Sequence, residues 1–266
     1  MDLQLKGKTA VVTGGSRGIG KAIARALAEE GCDVVIVARD MTALKATADE
    51  IAKATGRKIT GVSTDTGDDA SVKKMAADAR LALGRIDILV NCAAAPGGQA
   101  KPPALAEISN ENFFADMNVK VLGYLRTARE IAPAMKAQGF GRIINISGLA
   151  ARSTGTIIGS VRNVSVAALT KNLAEEMAGT GVTVTCVHPG LTRTEKTPGV
   201  IAQQAAAQGV AEAEIEKRMD QGNLVGKLIT AEDVAFIVAM LASPRSIAIN
   251  GDVIATGGGA KGSIHY

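Results

Sequence analysis

The sequence predicts an α/β fold, a single domain in which helices cover a parallel sheet on both faces. Short β-branched runs alternate with stretches of helical periodicity along the 266 residues, a pattern typical of βαβ units. The first unit begins with the continuous apolar run TAVVTG, residues 9–14, which predicts a buried parallel strand. The apolar residues Ile19, Ile23 and Leu27 follow at the i, i+4 and i+8 spacing of a helix.

The same alternation continues along the chain, and no linker marks a second domain, so we expect residues 1–266 to form one unit. Further strands are predicted at 33–39, 58–65, 85–94, 142–147, 182–190 and 252–256. Helices are predicted at 41–56, from about 68–71 onward, and at 117–138, 159–177 and 231–242. Residues 194–223 are rich in alanine, glutamine and charge, and we predict a helical excursion that serves as a substrate lid. A surface flap without a role is the alternative.

Composition argues against several classes of function. The net charge is only +4, aromatic residues make up 2% of the chain and tryptophan is absent, so the basic, aromatic surface of a nucleic-acid binder is not expected. No apolar run approaches the roughly 20 residues that span a bilayer, and MDLQLKGKTA lacks the features of a signal peptide. We therefore expect a cytoplasmic protein without a membrane partner. Three scattered cysteines and two distant histidines give no metal spacing.

A glycine-rich turn, TGGSRGIG at residues 13–20, joins the first strand to the first helix. Such a turn lets the backbone approach a pyrophosphate, and the helix N-terminus supplies unpaired N–H groups. This placement predicts a dinucleotide site. Its candidate residues are Gly14, Ser16, Arg17, Gly18, Ile19 and Gly20.

The end of the second strand indicates which dinucleotide binds. A carboxylate at this point would hold the ribose hydroxyls of NAD, but the chain has Ala38 followed by Arg39. Arg39 and Arg17 are suited to the 2′-phosphate of NADP, so NADP(H) is favoured over NAD(H). The alternative is that both are solvated surface arginines.

Taken together, these motifs resemble the short-chain dehydrogenase/reductase superfamily over essentially the whole chain. TGGSRGIG matches the family's TGxxxGxG, and NCAA, MNVKVLG, HPGLTRT and INGDVIATGGG match further segments. The resemblance implies a doubly wound Rossmann fold, a homodimer or homotetramer, and a small-molecule substrate. It also implies a catalytic role for Asn118 and cofactor contacts from Asp65, Asn91, Ala93, Pro189, Gly190, Thr192 and Thr194.

The resemblance breaks down at the family's catalytic residues. The family has a serine after the fifth strand, which holds the substrate oxygen, and a Tyr-x-x-x-Lys on the next helix. There the tyrosine is the general acid/base, and the lysine lowers its pKa and binds the nicotinamide ribose. This chain reads INISG and VRNVSVAAL, which places Gly148, Val161 and Ser165 at the three positions. Valine exchanges no proton, so carbonyl reduction by the family's mechanism is not expected.

Neighbouring groups do not restore the family's site. Ser147 is expected to face the opposite side of the strand, and Lys171 lies well over a turn beyond Ser165. Tyr124 is expected to pack at a subunit interface. His188, at the carboxyl end of a strand, is our candidate replacement acid, with a structural histidine as the alternative.

The sequence thus predicts an NADP(H)-binding oxidoreductase with a non-standard active site, acting on an unidentified carbonyl, alcohol or related compound. Arg152, Ser153, Thr154 and Arg162 are further candidates for that site. A catalytically inactive nucleotide-binding homologue with a regulatory or scaffold role is the alternative. Non-redox chemistry is a weaker hypothesis, because dehalogenating relatives keep the serine and tyrosine and lose the glycine loop. The terminal pair, residues 265–266, suggests a tyrosine donated to a neighbouring subunit, with a packed tail as the alternative.

Overall fold

The computed structural model of the chain describes residues 2–94 and 102–261. In this part of the chain, seven parallel strands form the main sheet in the order β3-β2-β1-β4-β5-β6-β9. The strands are β1 (Thr9–Thr13), β2 (Asp33–Ala38), β3 (Ile59–Ser63), β4 (Ile88–Asn91), β5 (Gly141–Ile146), β6 (Val182–Pro189) and β9 (Val253–Thr256). The order reverses between β1 and β4, which places the ligand-binding crevice of a doubly wound fold at the carboxyl ends of these strands.

Helices cover both faces of the sheet, as the sequence predicts. The helices are α1 (Gly18–Glu29), α2 (Met41–Thr55), α3 (Asp69–Leu83), α4 (Asn110–Met117), α5 (Gly123–Ala137), α6 (Ile157–Glu176), α7 (Thr197–Gln208), α8 (Glu212–Asp220) and α9 (Ala231–Ala242). One core packs α1, α2 and α9 against the sheet, and a second packs α3, α5 and α6 against the opposite face. Burial of apolar strands between two helical layers explains why they lack the alternating pattern of a half-exposed sheet.

The predicted helix at 117–138 begins earlier than the sequence suggested. It starts with α4, whose N-cap Ser109 accepts a hydrogen bond from the N–H of Asn112. A π-helical turn, Asn118–Leu122, then joins α4 to α5. The earlier start was missed because α4 buries none of its residues, so it has no apolar periodicity to detect.

Residues 194–223 lie between β6 and α9 and contain the helices α7 and α8. Ile201, Ala205 and Ile215 form a small apolar cluster between them. The segment is preceded by a short strand, β7 (Thr192–Arg193), which pairs in parallel with β8 (Ile229–Thr230). Its role as a substrate lid stays a prediction. Among the described residues, no helix is long and apolar enough to cross a membrane.

Candidate active site

The glycine loop after β1 is closely packed against the end of β4. Gly14 has a φ of 68°, and a Cβ on it would lie 3.0 Å from the nitrogen of Ala93. A Cβ on Gly20 would lie 2.2 Å from the carbonyl oxygen of Gly14. The hydroxyl of Thr13 accepts hydrogen bonds from the N–H groups of Cys92 and Ala93, at 3.0 and 3.1 Å. Only glycine fits this turn, which lies at the point where the strand order reverses.

The first N–H of α1 already holds an anionic group. The amide of Gly18 donates to both carboxylate oxygens of Glu195, at 3.0 and 3.1 Å. Unpaired N–H groups and the helix dipole favour negative charge here. Elsewhere in the loop, Ser16 accepts a hydrogen bond from the hydroxyl of Thr47 through its carbonyl oxygen, and Ile19 packs against the core. The loop is therefore an ordered anion-binding turn.

Both predicted phosphate-binding arginines are exposed. The side chains of Arg17 and Arg39 form no ion pair with any residue that the structure describes. The main chain at Arg39 is fixed, because its carbonyl oxygen accepts a hydrogen bond from the hydroxyl of Ser63 at 2.9 Å. Within residues 2–94 and 102–261, these two cations therefore have no ion-pair partner; one lies in the turn and the other directly after β2, the strand that neighbours β1.

Asp65 and Asn91, the two predicted polar contacts beyond the loop, differ in exposure. Asp65 is exposed, and its Oδ1 accepts from the N–H of Gly67 at 2.8 Å. Asn91 is fully buried in β4, where its Nδ2 donates to Asn145 at 2.9 Å and its Oδ1 accepts from Thr127 at 2.6 Å. The side chain of Asn91 joins β4 to its neighbours and does not reach the cleft.

The segment after β6 approaches the glycine loop from the other side. A Cβ on Gly190 would lie 2.9 Å from the Cα of Gly257, so the main chain passes closely here. The hydroxyl of Thr192 donates to the carbonyl oxygen of Gly190 at 3.0 Å. The Cγ2 of Thr194 lies 3.6 Å from where a Cβ on Gly18 would stand. Thr194 therefore borders the loop, whereas Gly190 packs against Gly257 after β9.

The two predicted catalytic residues occupy different surroundings. Asn118 is half-buried at the start of the π-helical turn, and its Nδ2 donates to the carbonyl oxygen of Gly67 at 3.0 Å. His188 is only 2% exposed and pairs in register with Ala255 of β9, just before Pro189. His188 is therefore enclosed by the sheet, and its role as an acid stays a prediction.

A buried polar cluster that sequence reasoning missed lies behind the end of β5. Lys120 is 4% exposed, and its Nζ donates to the carbonyl oxygen of Ser147 at 2.9 Å and to Oδ1 of Asn163 at 3.1 Å. The hydroxyl of Ser147 donates to the carbonyl oxygen of Asn163 at 2.9 Å. Burial, followed by the nearby Arg162 cation, lowers the pKa of Lys120 to about 7. The only sequence signal was a lysine inside the apolar stretch NVKVLG.

Arg162, a candidate cation for the site, faces α4 instead. Its Nη1 donates to both carboxylate oxygens of Asp116, at 2.7 and 2.8 Å. Both side chains are largely buried. The pair therefore joins α6 to α4 at Asp116, two residues before the π-helical turn begins.

The positions matched to the family's catalytic residues are at least partly exposed. Val161 is 41% exposed on α6, and the hydroxyl of Ser165 donates to its carbonyl oxygen at 2.8 Å. Gly148 is half-buried directly after β5. A Cβ on Gly148 would lie 2.9 Å from Nδ2 of Asn163, so the side-chain amide fills the space beside this glycine.

Two other groups are not available as acids at this site. Tyr124 is fully buried, and its hydroxyl donates to the carbonyl oxygen of Ile146 at 2.9 Å. The expectation that it packs at a subunit interface is wrong, because it lies in an internal cluster with Val166 and Cys186. Lys171 is exposed and faces Glu175 at 3.6 Å. The predicted terminal pair, His265 and Tyr266, lies outside the described residues.

A cavity of about 400 Å³ opens between the helical excursion and the carboxyl ends of β5, β6 and β9. Leu149, Gly190 and Leu191 line it from the strand side, and Ile215 and Met219 line it from α8. Its mainly apolar wall and its position at the sheet edge fit a small-molecule site.

Comparisons with known proteins agree with this geometry. The sequence profile of the family described as short chain dehydrogenase matches residues 8–205. The chain is 34% identical to "NADPH-dependent aldehyde reductase 2, chloroplastic" of Arabidopsis thaliana, over 97% of this chain and 95% of the relative. It is 32% identical to "Short-chain reductase protein NovJ" of Streptomyces niveus, over 94% and 92%. L-sorbose reductase from Gluconobacter frateurii, solved with NADPH and L-sorbose, superposes with a TM-score of 0.91 at 27% identity, covering 99% of this chain and 100% of that one.

Proposed function

We propose, because this chain belongs to the short-chain dehydrogenase family, that it is an NADP(H)-dependent oxidoreductase acting on a small-molecule carbonyl or the corresponding alcohol. The observation that carries the proposal is the anion held at the glycine loop. The Gly18 amide already binds the carboxylate of Glu195, so the turn presents an N–H donor of the kind that binds a dinucleotide phosphate. Relatives with the same fold include an NADPH-dependent aldehyde reductase and a sorbose reductase solved with NADPH.

The residues around the loop fit a dinucleotide. A Cβ on Gly14 or Gly20 would collide with the chain's own backbone, so these glycines let the turn pack tightly before α1. The exposed Arg17 and Arg39 offer two charges to a 2′-phosphate. When bound, the nicotinamide supplies the hydride that reduces the carbonyl carbon. The cavity beside Leu149 offers an apolar wall for the substrate, and α7 and α8 serve as its lid.

The active site in this proposal is non-standard. Gly148, Val161 and Ser165 stand where the family resemblance expects serine, tyrosine and lysine. The reaction therefore needs a different group to stabilise the substrate oxygen, because water alone gives no fixed donor. Asn118 keeps the place of the family's catalytic asparagine.

Two measurements test the proposal. Calorimetric titration with NADPH and NADH is expected to give micromolar binding of NADPH and much weaker binding of NADH. NADPH oxidation with a panel of aldehydes, ketones and ketoses is expected to show turnover of at least one compound. NADPH binding without turnover would support the inactive homologue instead. Binding of neither dinucleotide would contradict the proposal at its first step. The homodimer or homotetramer that the resemblance implies is a separate expectation, and light scattering during size exclusion would test it.

A further inference from the structure

Lys120, Ser147 and Asn163 form a buried polar group behind the carboxyl end of β5, which we call the Lys120 cluster. The Nζ of Lys120 donates to Ser147 and to the side chain of Asn163, at 2.9 and 3.1 Å. A buried ammonium is costly unless its donors are paired. The fold therefore keeps this cation in place through specific contacts with two residues at the edge of the cleft.

The cation determines the orientation of the Asn163 amide. An ammonium has only donors, so the amide must present its oxygen to Lys120. The nitrogen Nδ2 then faces Gly148, where it lies 2.9 Å from the position of a Cβ, while Oδ1 lies 3.7 Å from it. Within residues 2–94 and 102–261, Nδ2 donates no hydrogen bond to another group.

Gly148 lies directly beside this donor. The residue is half-buried and follows β5, which adjoins β4, and the end of β4 contacts the glycine loop at Gly14. Ligands of doubly wound sheets bind along this edge. Asn163 itself is 3% exposed, and the absence of a side chain on Gly148 is what lets Nδ2 lie directly beside the half-buried backbone at the carboxyl end of β5.

We propose that Nδ2 of Asn163 donates a hydrogen bond to the substrate's carbonyl or alkoxide oxygen, and that Lys120 is the positioning residue that keeps the amide in this orientation. The inference rests on the proposed function. As hydride reaches the carbonyl carbon, negative charge develops on the oxygen, and a donor fixed beforehand stabilises that charge. The amide keeps both its protons, and the oxygen takes its proton from water.

The surroundings of Lys120 make the positioning sensitive to pH. Burial and then the Arg162 cation lower the pKa of Lys120 to about 7, while Cys92, Cys186 and Asp116 act in the opposite direction. A neutral amine also accepts hydrogen bonds, so it no longer fixes the amide. Turnover is therefore expected to fall as the pH rises above about 7. In Lys120→Met, turnover should no longer change with pH in this range.

The mutational test uses Asn163→Asp, which keeps the shape and the contact with Lys120 but removes the donor. We expect kcat to fall by roughly 10²–10³, the usual effect of losing one such donor, with NADPH affinity unchanged. Gly148→Ala, which displaces the amide, should also lower kcat. Asn172→Asp is the matched control, because this asparagine is exposed on the same helix and, among the residues that the structure describes, its side chain bonds only the carbonyl oxygen of Ala168. A kcat of Asn163→Asp within about threefold of the unchanged protein would overturn the proposal.

A second measurement does not depend on turnover. In protein with ¹⁵N-labelled asparagine, the Asn163 side-chain resonance is identified by its loss in Asn163→Asp. With NADPH present, it should shift on titration with dimethyl sulfoxide, whose oxygen accepts hydrogen bonds as a carbonyl does. No shift would overturn the donor role. If no compound of the panel is reduced but the resonance shifts, the donor site stands and the proposed oxidoreductase function fails.

Discussion

The carboxylate of Glu195 lies at the N-terminus of α1, where both of its oxygens accept from the amide of Gly18 at 3.0 and 3.1 Å. Glu195 belongs to the segment after β6, and Gly18 to the turn after β1, so the contact joins two distant parts of the chain. The acid is exposed and is therefore able to leave. It shares the positive end of the helix with any phosphate that binds there.

Neutralising this acid should strengthen nucleotide binding. We expect Glu195→Gln to lower the Kd for NADPH by about two- to fivefold, because a charge near a helix terminus contributes about 0.3–1 kcal/mol. Calorimetry at low ionic strength measures the effect. Glu176→Gln removes an equal charge from the exposed end of α6 and should leave the Kd unchanged. Equal affinities in all three proteins would show that Glu195 does not compete with the nucleotide.

Dinucleotide preference should depend on Arg39. We expect Arg39→Ala to weaken NADPH binding by about tenfold or more, because hydrogen bonds to charged groups contribute about 1.5–3 kcal/mol. NADH lacks the 2′-phosphate, so its affinity should not change. Lys73→Ala, which removes an exposed cation from α3, tests whether net charge alone matters. A parallel loss of NADPH and NADH affinity in Arg39→Ala would contradict the assignment.

The fold should accept the family's tyrosine at position 161 of α6 and its lysine at position 165 without losing stability. Val161 and Ser165 are not in the core, so Val161→Tyr with Ser165→Lys should change the free energy of unfolding by about 0.5 kcal/mol or less. If a positioned acid is what the site lacks, turnover of an accepted carbonyl should rise by about tenfold or more. Val164→Tyr adds a tyrosine at another exposed position of the same helix and should leave turnover unchanged. An equal rise in both variants would exclude a positional effect.

The buried Lys120 should make stability depend on pH. In the unfolded chain its pKa is near the ordinary 10.5, and in the folded chain burial lowers it to about 7. Between these values unfolding takes up a proton, so this residue makes the folded state more stable as the pH rises. Urea unfolding from pH 6 to 9 should show this increase, and Lys120→Met should remove it. Lys74→Met, at an exposed lysine on α3, should retain it. The same slope in Lys120→Met would contradict the assigned pKa.

Most of the fold could be predicted from the sequence, because strands, helices and turns are indicated by residues that lie close together in the chain. The apolar run TAVVTG became β1, and the glycine turn lies at the strand reversal. The Lys120 cluster was not readable, because it depends on contacts between residues 27 and 43 positions apart. A lysine on a helix usually predicts an exposed side chain, and only tertiary packing buries Lys120. The inward-facing Tyr124 was misjudged for the same reason, since helical periodicity shows which residues share a face but not what covers it.

The small apolar cluster of Ile201, Ala205 and Ile215 is separate from the two cores that flank the sheet. Substitutions in this cluster do not require matching changes in the strands of the sheet. The sequence of α7 and α8 is therefore able to change with little effect on the stability of the rest of the domain. Natural selection can therefore alter the wall of the neighbouring cavity while the dinucleotide turn stays constant. If the cavity binds the substrate as proposed, this separation lets substrate specificity change without a change in the turn after β1.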